Sequence, residues 1–81
     1  MDEKSLRVLK VMREQLGETT GRAVDAGAAA KSLGMHLGTL DRCLLYLVRA
    51  GYIEEYADRA MSSRNGMFLI TPQGIAAMDN S

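Results

Sequence analysis

Side chains able to do covalent or metal chemistry are few in these 81 residues: one histidine, His36, and one cysteine, Cys43. A nucleophile needs a base within hydrogen-bond reach, and a metal needs several ligands at recurring spacings. No second Cys or His supplies either. Cys43 falls on an apolar helical stripe and reads as a small core residue rather than a redox sensor. His36 stands at a helix start, where it can cap the helix or contact a phosphate. The six methionines suit gap-filling in a core better than a ligand pocket. The glycines near the helices are separate stops, not a phosphate-cradling loop. What remains is a set of hydrogen-bond donors: Lys31, His36, Thr39 and Arg42 in mid-chain, then Arg59, Ser63, Arg64 and Asn65. Such groups can hold an anion or meet a polar edge. The sequence predicts a binding protein rather than an enzyme, with no metal or other cofactor.

The mid-chain donors are positioned by the stretch 36–53, HLGTLDRCLLYLVRAGYI. Leu40, Cys43, Leu44 and Leu47 recur at steps of three and four, which lays one apolar stripe along a helix. Ala50-Gly51 ends it, since Gly just past a helix can take the left-handed conformation that closes the end. Upstream, 28–34 (AAAKSLG) reads as a shorter helix stopped by another Gly. Two helices joined by a turn of about four residues, the second feeding a hairpin, have the form of a helix-turn-helix with a wing.

The remaining elements follow in order. Residues 5–16 form a first helix with Leu6, Leu9, Met12 and Leu16 inward and Gly17 as its stop. Val8 and Val11 lie off that stripe, as a wide apolar face or as a contact with a second subunit. After a polar loop at 18–22, Val24 is a stub of strand and Asp25 an N-cap for the second helix. That helix is Ala-rich, which allows close approach to the third. Residues 52–57 (YIEEYA) and 67–71 (MFLIT) are strand-like. Between them 58–66 (DRAMSSRNG) is polar and carries Asn65-Gly66, the strongest turn signal in the chain. Thr71 then caps a short last helix with Pro72 at its first position, and Ile75 and Met78 are its apolar residues. The predicted core sets Leu40, Leu44 and Leu47 against Leu6, Leu9 and Leu33, with Ile53 and Ile70 beneath.

Composition bounds the rest. The length is that of one domain, 1–81. A chain so short buries only roughly 60% of its unfolded surface, so a homodimer is expected, through Val8, Val11, Ile75 and Met78. An apolar fraction of 47% with four aromatics (three Tyr, one Phe) fits a small helical core. The lone cysteine points to a reducing, cytoplasmic setting. No signal peptide is legible in MDEK, and no apolar run approaches the ~18 residues of a membrane span. Ten basic and ten acidic side chains cancel, and local charge matters more than that sum.

The whole order, three helices, a two-stranded wing and a short C-terminal helix, resembles the winged helix-turn-helix superfamily of bacterial and archaeal transcription regulators, including MarR-like and ArsR-like proteins. The matching residues are Asp25, Ala29-Ala30, Leu33-Gly34, Thr39-Leu40, Leu44, Leu47, Ala50-Gly51-Tyr52-Ile53 and Ile70-Thr71-Pro72-Gln73-Gly74. The expected fold is therefore mainly α with a small β-hairpin. The resemblance implies a double-stranded DNA partner, the helix 37–50 entering the major groove and the wing 58–66 lying on the backbone or minor groove. Lys31, His36, Thr39, Arg42, Arg59, Ser63, Arg64 and Asn65 are the contacts it implies. An ArsR-type metal sensor would lack its ligands here. The sequence departs from the pattern on the outer face of the third helix. Asp41 opposes phosphate, and Leu37, Leu45 and Tyr46 are apolar where Lys or Arg would be common. Those three residues define the second expectation, a winged-helix module that binds a protein partner.

Overall fold

Asp2 starts the first helix, α1 (Glu3–Leu16), by accepting the Ser5 N–H on its carboxylate at 2.8 Å. The structure, a computed structural model, describes residues 2–17, 22–56 and 67–80. With Asp2 as the cap, α1 begins two residues earlier than 5–16, and its phase differs too. The buried face is Ser5, Val8, Leu9 and Met12, while Leu6, Val11 and Leu16 are half-buried. Leu9 and Met12 belong to both candidate stripes, and the polar Ser5 disguises the one that is used. Val8, expected at a subunit contact, is wholly enclosed in the chain's own core (0% exposed).

A two-residue strand, β1 (Val24–Asp25), leads into α2 (Ala26–Leu33), which Asp25 caps by accepting the Gly27 N–H at 2.9 Å. The Gln15 amide pairs with the Asp25 backbone in both directions: its nitrogen donates to the carbonyl at 3.0 Å, and its oxygen accepts the N–H at 3.3 Å. This side chain takes the place of a further strand on the open edge of β1. Ala26, Ala29 and Ala30 are buried, and their short side chains let α2 lie chiefly against α1 rather than against the third helix.

The third helix, α3 (Leu37–Arg49), buries Leu40, Cys43, Leu44 and Leu47. This is the stripe read from the sequence. Gly51, at φ +82°, turns the chain out of the helix, and the Tyr52 N–H closes on the Leu47 carbonyl at 2.9 Å. Strands β2 (Ile53–Glu55) and β3 (Met67–Ile70) pair antiparallel, with Ile53 opposite Ile70. Val24 pairs with Phe68 on the other side of β3, so the sheet order is β1-β3-β2. The Tyr56 N–H bonds to the Met67 carbonyl at 2.9 Å. The expected wing loop, 58–66, lies outside the described residues.

Thr71 caps α4 (Pro72–Asp79) through the Gly74 N–H, with Pro72 in the first turn. Each of these elements contributes to one core, in which Leu9, Met12, Leu40, Leu47, Ile53 and Val24 are almost fully enclosed. Leu6, Leu33 and Ile70, expected inside it, pack at its rim, half-buried. Met78, the other end of the expected subunit contact, is also a core residue here (6% exposed). A short helix has only one apolar face, and α4 spends Met78 on α1. Of the four proposed contact residues, Val11 and Ile75 keep part of their surface in solvent.

Candidate nucleic-acid interface

The outer face of α3 follows from its buried one. At 3.6 residues per turn, the direction opposite Leu40, Leu44 and Leu47 is taken by Gly38, Arg42, Leu45 and Arg49, and all four are exposed. This line holds two guanidinium groups two turns apart and a glycine near the helix start. A Cβ on Gly38 would meet only the His36 ring, so a partner can come close to the backbone there. Arg49 was not singled out in the sequence, although its seven-residue spacing from Arg42 placed it on the same line. Leu37, Leu45 and Tyr46 are 54%, 52% and 42% exposed, so this face is apolar as well as basic.

His36 caps α3. Its Nδ1 accepts the Gly38 N–H at 3.1 Å. An accepting Nδ1 carries no hydrogen, so the neutral ring holds its proton on Nε2, as a donor. Thr39 stands on the α1 side of α3. Rather than sharing the outward line with Arg42, it is half-buried in the crease between α3 and α1, beside Lys4 and His36. One residue of a helix turns direction by about 100°, and with Leu40 pointing straight inward Thr39 is carried to the flank. Lys31 is exposed in the last turn of α2. The remaining expected contacts, Arg59, Ser63, Arg64 and Asn65, lie outside the described residues.

The flanks of α3 differ in charge. Toward the sheet lie Asp41 and Glu55, with Leu45 and Val48 between them. Toward α1 lie Lys4, Arg7, His36 and Arg42, with Asp2 among them. Hydrogen bonds from the Ser5 side chain and then its backbone N–H hold the Asp2 carboxyl below the usual carboxylate value. Cys43, 5% exposed, sits among the core residues. Among the described residues, no group of three His, Cys, Asp or Glu side chains is placed to hold a metal ion, and no helix is long and apolar enough to cross a membrane.

Neither a family model nor a curated protein matches this sequence. Among solved structures, a variant of S. aureus MepR matches with a TM-score of 0.76 at 20% sequence identity. The match covers 99% of this chain and 54% of MepR, so the chain spans about half the length of that protein. The chain has a winged-helix fold like that of MepR. In this winged helix α2 and α3 are the helix-turn-helix pair, and β2 and β3 form the base of the wing. α1 and α4 close the core from behind.

Proposed function

We propose that this winged helix is the DNA-binding module of a small transcription regulator, with α3 laid in the major groove. The observation that carries the reading is the outward line of α3: a glycine, then Arg42 and Arg49, exposed on a MarR-like fold. An arginine there can take the two acceptors of a guanine with its planar fork. His36 and Lys31 suit phosphate contacts, and Thr39 a contact from the flank. The loop residues Arg59, Ser63, Arg64 and Asn65 suit the backbone or minor groove. No catalysis is assigned. The module works as a homodimer in the cytoplasm, with Val11 and Ile75 as the part of the contact surface still open to solvent.

The test is a titration with random-sequence and selected duplexes at two salt concentrations. Binding should weaken steeply with salt, and Arg42→Ala should flatten sequence preference by about 1–3 kcal/mol. The exposed Leu37, Leu45 and Tyr46 favour one second reading, a module that docks a protein partner with this same face. Absence of duplex binding at low salt would displace the first reading in favour of the second.

A further inference from the structure

The crease between α1 and α3 has a composition unlike the rest of the surface. One groove is lined by Lys4, Arg7, Leu33, Met35, His36 and Thr39. A second, lined by Asp2, Lys4, Thr39, Arg42 and Tyr46 among others, adjoins it. Lys4 and Thr39 line both, so the grooves form one continuous channel along the α1 flank of α3. Four cationic or donor groups (Lys4, Arg7, His36 and Arg42) face it; the carboxylates beside them are Asp2, engaged with Ser5, and Glu3, paired with Arg7. Among the described residues the sheet flank of α3 has the reverse character, its groove lined by Asp41 and Glu55 without a basic side chain.

We propose that this channel seats the phosphodiester backbone of one DNA strand, with Lys4 and Arg7 of α1 as its principal cations. The inference rests on the DNA-binding reading and adds α1, to which that reading gives no contact. Lys4 and Arg7 are three residues apart and so share one flank of α1. Arg7 is paired with Glu3 at 2.7 Å, but both side chains are largely in water (63% and 77% exposed). Such a pair holds weakly and leaves the guanidinium able to exchange onto a phosphate, which takes the same forked pair of N–H bonds. His36 meets the same strand from α3. Its Nδ1 is spent on the Gly38 N–H, which leaves the Nε2–H for a phosphate oxygen.

The experiment measures duplex affinity over a salt series for the intact chain and four variants. Lys4→Ala and Arg7→Ala should each lower the slope of log affinity against log salt by about 0.9, the value for one lost phosphate contact. Lys10→Ala removes the same charge from the other part of α1, beside Arg13, Glu14 and Gly17, and should leave the slope unchanged. His36→Asp keeps a good N-cap, so its unfolding midpoint should hold while duplex binding weakens. A wild-type chain that binds no duplex at low salt overturns both this inference and the reading beneath it. A chain that binds, with Lys4→Ala and Arg7→Ala at the wild-type slope, overturns this inference alone. An equal loss in Lys10→Ala would mark a net-charge effect and overturns it too.

Discussion

The Thr71 hydroxyl donates to the Gly51 carbonyl at 2.6 Å and accepts the Gly74 N–H at 3.1 Å. One side chain therefore ties the exit of α3 to the start of α4, twenty residues apart in sequence. The Thr71 N–H adds a bond to the Tyr52 carbonyl at 3.1 Å, so the chain segments leaving α3 and entering α4 lie against each other. Through this clasp the orientation of α3, and with it the outward line of Arg42 and Arg49, depends on α4.

Thr71→Val removes the hydroxyl and both of its bonds while keeping the shape. An N-cap is worth about 0.5–2 kcal/mol, and a second, part-buried hydrogen bond adds about 1 kcal/mol. Chemical denaturation should show a loss of roughly 2 kcal/mol for Thr71→Val and little for Thr71→Ser. A valine variant as stable as wild type would mean that the clasp is incidental.

Gly74→Ala should run against helix propensity. In an ordinary helix interior this change gains about 0.5–1 kcal/mol. Here the new Cβ would fall on the Tyr52 carbonyl oxygen, a backbone atom, with the Ile70 side chain 3.1 Å away. The helix must move off the Tyr52 segment, so the sign reverses and the melting temperature drops. A stabilised variant would show that α4 is not held against that segment.

Leu44→Ala tests the facing of α3. Leu44 is 5% exposed, in contact with the main core, and its truncation should cost about 2–5 kcal/mol. That is a large share of the stability of so small a chain. A loss below about 1 kcal/mol in denaturant titration would be too small for a buried leucine. Leu45→Ala, on the exposed face, serves as the neutral reference.

Asp2 gives α1 a pH-dependent cap. Its folded pKa is lowered from the ordinary 3.8 by hydrogen bonds from Ser5. A depressed carboxylate contributes stability that is present above the unfolded value and lost as pH falls through the folded one. Asp2→Asn keeps a capping side chain without a titrating charge. The stability difference between wild type and Asp2→Asn should be constant from neutrality down to about pH 5 and shrink below 3.8. A difference that grows on acidification would reverse the assigned sign.

Helix ends and strand identity were legible because their causes are local. As helix caps and stops, Asp25, His36, Gly51 and Thr71 each act within about four residues, so residue type and spacing suffice to find them in that role. The stripe of α3 was legible for the same reason: Leu40, Cys43, Leu44 and Leu47 admit a single phase. In α1 they did not suffice. Leu6, Val8, Leu9 and Met12 fit two overlapping faces, and packing buried the one with Val8, carrying the polar Ser5 in with it.

The sequence by itself determined the three helices around a turn, the wing strands and the caps of α2, α3 and α4, and these determined a winged helix. Only the tertiary structure decided which neighbour each face meets. It set Val8 and Met78 into the core in place of a subunit contact, and it laid Val24 beside Phe68, 44 positions away. It also turned Thr39 into the α1 crease and brought Lys4 and Arg7 to the side of His36. Each of these joins residues remote in sequence, where no periodicity or capping rule links one to the other. Packing against a shared core determines them, because every buried face must find a partner at once.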